Sequence, residues 1–203
     1  MSKKIKKLLN KNILYCDVGA RWGLGEPWND IKNYLDVIYF EPDREEYENL
    51  KGKMKDGDFG FDCALYSSSQ KIDLNLTKAR ECSSLLEPNF DIIKNYPNEL
   101  LKMYEIEKKV IVDAKSLDQI SVENDNFSMD FMKLDVQGAE LEILKGGEKF
   151  LSKNIIGMEI EVEFQKLYID QPLFSDIDNY VTNKLKLELF DLSKHYCKYK
   201  TGI

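Results

Sequence analysis

Apolar and polar positions follow two periods along the 203-residue chain, and the switches between them mark its elements. Leu14, Tyr15, Cys16, Asp17 and Val18 form a short β-rich run that opens onto Gly19, Gly23 and Gly25. After Pro27 the apolar positions Trp28, Ile31 and Leu35 recur at spacings of three and four, which predicts a helix. A second short strand, Val37 to Phe40, closes on Glu41, Pro42 and Asp43, and a helix over 44–53 carries Tyr47 and Leu50 on one face. Residues 59–65 predict a third strand, and 71–77 alternate strictly, as a half-exposed strand does. That strand is expected to pair with Tyr66 or with Val110, Ile111 and Val112, outside the main layer. Residues 79–104 show no clean period, and the stretch 66–113 reads as an irregular lid or insertion, functional or merely solvated. A fourth strand ends at Asp135, and a helix runs from Ala139 to Gly146 and Gly147. Over 157–164, Glu159, Glu161 and Glu163 share one face; a central parallel strand is buried on both faces and shows no such alternation. A helix over 173–184 and a final strand over 187–192 complete the pattern. Strands alternate with helices five times, which predicts a single α/β domain over 1–203 built on a doubly wound, mostly parallel sheet.

Composition narrows the chemistry. With 43% hydrophobic and 32% charged residues the chain reads as globular, and a net charge of −7 argues against a broad nucleic-acid face. The basic opening at Lys3, Lys4, Lys6 and Lys7 reads as an amphipathic helix rather than a leader. No run approaches the roughly 18 apolar residues of a membrane span. Four cysteines without a CxxC pair read as reduced thiols, hence a cytoplasmic protein. His195 is the one histidine, which argues against a Ser-His-Asp triad or a His-rich zinc site, so no metal is expected. Carboxylates and hydroxyls are left to do the work.

The first glycine turn is a candidate ligand loop, although a plain strand-to-helix turn uses glycine equally. Glu41 stands where nucleoside-binding sheets place the acid that accepts ribose hydroxyls. The spacing of Gly19, Gly23 and Gly25 is not the dinucleotide fingerprint, which favours a mononucleoside-like ligand such as S-adenosylmethionine over NAD. Asp135 either accepts helix-end amides or faces the cleft, and Glu140 suits the helix dipole in either case. Glu161 and Glu163 line either a solvated face or the mouth of the site. Ser83 and Ser84 are candidates for substrate hydroxyls or ordinary loop residues.

Four segments resemble the FkbM-type methyltransferases, S-adenosylmethionine-dependent enzymes of the class I Rossmann-like fold. They are residues 17–24, 40–43, 131–147, and 161–168 with 171–174. The resemblance implies that Asp17, Gly19 and Arg21 surround the methionine end of the cofactor, that Glu41 holds the ribose, and that Cys63 and Ala64 lie beside the adenine. Ala20, Gly23, Pro42 and Asp135 are further candidates for binding the cofactor. The acceptor is implied to be a hydroxyl on a sugar, glycan precursor or natural product. Asp135 is the first choice for the base, followed by Glu161, with Ser83, Ser84, Glu140 and Glu163 toward the acceptor. Class I enzymes add a last antiparallel strand that this chain lacks or abbreviates, so a homodimer through an exposed sheet edge is expected. A non-catalytic scaffold and a nicotinamide oxidoreductase are the rival readings.

Overall fold

The computed structural model describes residues 11–194. In chain order its strands are β1 (Ile13–Val18), β2 (Leu35–Phe40), β3 (Phe59–Phe61), β4 (Ala64–Leu65), β5 (Gln70–Thr77), β6 (Ile106–Lys115), β7 (Phe131–Leu134) and β8 (Gly157–Ile160). Its α-helices are α1 (Arg44–Lys51), α2 (Phe90–Ile93), α3 (Asn98–Met103), α4 (Leu117–Glu123), α5 (Glu140–Gly146), α6 (Glu148–Asn154) and α7 (Phe174–Tyr180).

Five strands make an all-parallel sheet in the order β3-β2-β1-β7-β8. The order reverses at β1, so the chain leaves β1 toward β2 on one side and meets β7 on the other. Such a reversal opens a crevice at the carboxyl ends of the strands. Side-chain parity divides the sheet into two faces. Cys16, Val18, Ile38, Phe40, Met132 and Leu134 pack on one side against the helices α4 to α7. Tyr15, Val37 and Tyr39 pack on the other with Leu50 of α1 and with Trp28. On this second face the register sets Asp17, Lys133 and Glu159 side by side across three strands.

The helix starts are legible in the chain. Asp43 caps α1 by accepting the Glu45 amide, and Ser116 caps α4 by accepting that of Gln119. α6 begins at Gly147, which has no capping side chain, and Asp118 of α4 accepts the Lys149 and Phe150 amides instead.

Three expected elements differ. The turn after Pro27 is a 3-10 helix (Trp28–Tyr34), and Leu35 belongs to β2, where it is fully buried opposite Ile13. The expected strand over 59–65 divides after Phe61. Ala64 and Leu65 cross to a second, three-stranded sheet, β4-β6-β5, because Ala64 fills the core of that sheet while Leu65 fills the main one. No strand forms over 187–192; no described residue offers it a partner, and Phe190 is fully exposed. β8 is therefore the last strand on its side among the described residues. Of the two expected partners of 71–77, the strand takes 110–112: β5 pairs with β6, antiparallel, with Ile72 opposite Val112.

Candidate active site

The crevice predicted by the strand order is present. The amides of Gly19 and Ala20 both donate to the Phe40 carbonyl, at 3.1 and 3.2 Å, which folds the end of β1 over the end of β2. Gly19 has φ +76°, and a Cβ there would lie 2.1 Å from the Asp135 carbonyl oxygen, so only glycine lets the turns after β1 and β7 meet. Trp22 and Gly23 continue in the left-handed region at φ 71° and 83° and curl the loop over the opening. The cleft, open to solvent on one side, has a volume of about 340 Å³, within the range of roughly 300–1,000 Å³ usual for small-molecule sites. Gly19, Arg21, Gly23, Glu41, Pro42, Cys63 and Ala64 all line it.

Glu41 follows β2 and is only 3% exposed. One of its oxygens accepts the Asp43 amide at 2.9 Å and lies 4.0 Å from Arg21 Nη2. Burial pushes its carboxyl up to about 7, although the Asp43 amide and the Arg21 guanidinium pull the other way. The same guanidinium sits 3.2 Å from Asp43 and 3.5 Å from Glu46, so the structure places Arg21 among the acids on the β2 side of the cleft.

Across the cleft, Lys133 links two carboxylates, 3.5 Å from Asp17 Oδ1 and 3.3 Å from Asp135 Oδ2. Asp17 lies beneath the cleft at 1% exposure; burial raises it to about 6 despite Lys133. Burial also disfavours charge on Lys133, but Asp17 and Asp135 outweigh it and raise the ammonium above its ordinary value. Asp135 follows β7 and lines the cleft. Burial opposes its ionisation, yet Lys133 and hydrogen bonds from Glu161 and Gln137 outweigh it and hold the carboxyl below the usual range. Glu161 is exposed as a residue, yet desolvation of its carboxyl and the Asp135 charge raise it far above the usual range. Gln137 bridges the two acids, its Nε2 donating to Asp135 Oδ1 and to Glu161 Oε2.

Several expected site residues stand elsewhere. Ala20 is fully buried in the core beside Leu50, so its amide shapes the turn while its methyl faces away from the cleft. Glu140 accepts the Val136 and Gly138 amides, both at 3.1 Å, and is 4% exposed. It holds the turn after β7 from behind, the role left open for Asp135. Ser84 lines the cleft, but its hydroxyl donates to the Gln137 carbonyl at 2.6 Å and accepts the Leu86 amide at 2.9 Å, which occupies it internally. Ser83 also lines the cleft and accepts the Thr77 amide. Glu163 is half-buried beyond Glu161, and its backbone oxygen accepts the Phe174 amide. Residues 82–89 are fastened to 165–171: Tyr168 donates to the Cys82 carbonyl, Asn89 to that of Leu167 and Ile169 to that of Glu87. The stretch forms a tied wall of the cleft.

Lys133, Gln137 and Tyr168 belong to the site and were not singled out from the sequence. Lys133 carried a signal, a cation inside an otherwise apolar strand. Gln137 and Tyr168 carried none, because their roles depend on segments far apart in the chain. Among the described residues no cluster of His, Cys, Asp and Glu is arranged to hold a metal ion, and no helix is long and apolar enough to cross a membrane.

No curated protein and no solved structure gives a match to the chain. The methyltransferase FkbM domain matches residues 17–192, from the acid that closes β1 to the segment after α7. The chain belongs to the FkbM methyltransferase family and is a methyltransferase on a Rossmann-like sheet.

Proposed function

We propose that this methyltransferase draws its methyl group from S-adenosylmethionine and transfers it to a hydroxyl of a sugar, glycan precursor or natural product. The observation that carries the reading is that Gly19 and Glu41 bound one cleft, with Asp135 on its far wall. The residues fit an adenosyl group. A buried carboxylate accepts ribose hydroxyls, the glycine turn leaves room where a Cβ would collide, and Cys63, Ala64, Leu65 and Leu74 offer an apolar wall to a base. When bound, S-adenosylmethionine supplies a methyl carbon on a positively charged sulfur.

Displacement at that carbon requires the acceptor oxygen in line with the carbon and sulfur, so most of the catalysis is alignment. In this reading the loop 19–25 and the wall 82–89 hold the reactants and exclude water. Asp135 Oδ2, kept ionised by Lys133, is placed to take the proton of the acceptor hydroxyl, whose oxygen would gain the methyl carbon as the carbon–sulfur bond breaks and a neutral thioether leaves. Buried thiols at Cys16 and Cys63 support a cytoplasmic setting.

Calorimetric titration with S-adenosylhomocysteine and with NAD tests the ligand. Binding of the first alone supports the reading, and binding of NAD alone ends it. Asp135→Asn tests the base. Turnover of a hydroxyl acceptor is expected to fall by about 10²–10⁴-fold with S-adenosylhomocysteine affinity little changed. Loss of affinity alone would move Asp135 into the nucleoside site.

A further inference from the structure

Four segments converge on Gln137. Its Nε2 donates to Asp135 Oδ1 at 2.9 Å and to Glu161 Oε2 at 2.6 Å. The Tyr168 hydroxyl lies 3.2 Å from its Oε1 and 2.8 Å from the Cys82 carbonyl. Ser84 Oγ donates to its backbone carbonyl at 2.6 Å. A primary amide has two N–H donors, and both are engaged here, while the single Tyr168 proton goes to the nearer Cys82 carbonyl. The backbone is committed as well. Gln137 has φ 59° and Gly138 φ 111°, a pair of left-handed residues that a non-glycine holds only where its surroundings enforce it. The loop 82–89 packs closely on the turn: a Cβ on Gly138 would lie 2.9 Å from Leu86 Cδ1.

We propose that Gln137 is the positioning residue of the Asp135–Glu161 pair: its left-handed turn, held by Ser84 at the backbone carbonyl, sets the side-chain amide so that one N–H meets each carboxyl and Asp135 is presented to the cleft in one arrangement. The proposal rests on the reading of Asp135 as the base. A flipped amide would set its carbonyl against both carboxyls and give up both donor contacts, which opposes that flip. The division of labour follows from the two oxygens of Asp135. Lys133 meets Oδ2 and fixes the charge, while Gln137 meets Oδ1 and fixes the direction. The other ionisable groups facing the pair are Asp17 behind Lys133, Glu140 at the start of α5, Glu163 beyond Glu161, and Tyr168.

The test is carboxyl titration of the full chain, read by carbon-13 resonances assigned with Asp135→Asn and Glu161→Gln. In the wild type, Asp135 titrates below and Glu161 above the ordinary carboxylate range. Gln137→Met keeps the length and removes both N–H donors, so it is expected to raise Asp135 by about one unit and narrow the gap. Ser84→Ala removes the donor to the Gln137 backbone carbonyl and is expected to shift Asp135 the same way by less. If Gln137→Met does not fold, Ser84→Ala decides. Titrations in the folded variants that match the wild type would make Gln137 a purely structural turn residue and overturn the proposal. Failure of the methyltransferase reading shows separately, as absence of S-adenosylhomocysteine binding by the wild type.

Discussion

Glu41 shows how one buried side chain links protonation to binding. Its carboxyl stands at about 7, and hydroxyl donors from a ribose favour the charged form. Affinity for S-adenosylhomocysteine is therefore expected to rise with pH, by about tenfold between pH 6 and pH 8, and level off above. Glu41→Gln should flatten that dependence and weaken binding at pH 8 by about tenfold or more, as loss of a charge-assisted hydrogen bond does; isothermal titration across pH reads both. Gly19→Ala acts by collision. The new methyl would meet the Asp135 carbonyl, and φ at that site is +76°. The turns after β1 and β7 must separate, so the variant is expected to lose ligand binding and to melt lower, measured by the same titration and by thermal denaturation.

At the scale of elements, the connections are held by a few contacts that local sequence does not announce. α6 has its first amides satisfied by Asp118 from α4 rather than by its own cap residue. Asp118→Ala is expected to destabilise the fold by about 1–2 kcal/mol, the usual cost of a lost helix cap, read by urea denaturation with an unchanged slope. Gly146, at the end of α5, packs so closely that a Cβ would lie 2.1 Å from the Tyr66 carbonyl oxygen. The link from β4 to β5 in the second sheet thus passes over a helix end that only glycine lets it approach. Both glycines of the 146–147 pair are legible as a helix stop. That one of them also seats the 66–67 link is not, because the link comes from residues some eighty positions earlier.

For the whole molecule, acidity and stability are coupled through the buried acids. Glu41 rises from an ordinary 4.5 to about 7 and Asp17 from 3.8 to about 6, so the folded state binds more protons than the unfolded one between those limits. Their stabilising contribution is full below the lower values and is lost as pH rises through the higher ones, on the order of a few kcal/mol in all. The lowered acids, Asp135 among them, lose their contribution only below the ordinary carboxylate range and do not oppose this trend. Ligand-free protein is therefore expected to melt higher at pH 5.5 than at pH 8, and Asp17→Asn with Glu41→Gln should flatten the difference in a calorimetric series. The sequence by itself determined the parallel α/β sheet, the glycine turn after β1 and the acids Glu41 and Asp135, because hydrophobic period, turn chemistry and an acid at a strand end are local properties. It also carried 71–77 as a half-exposed strand outside the main layer, written in strict alternation. Only the tertiary structure decided that this strand pairs antiparallel with β6, that Glu140 caps a turn, that Ser84 is occupied within the protein, that 187–192 forms no strand, and that Lys133 and Gln137 reach the carboxyls of Asp135 and Glu161. Those outcomes depend on which distant segments arrive at the carboxyl ends of β7 and β8, and no local pattern records that.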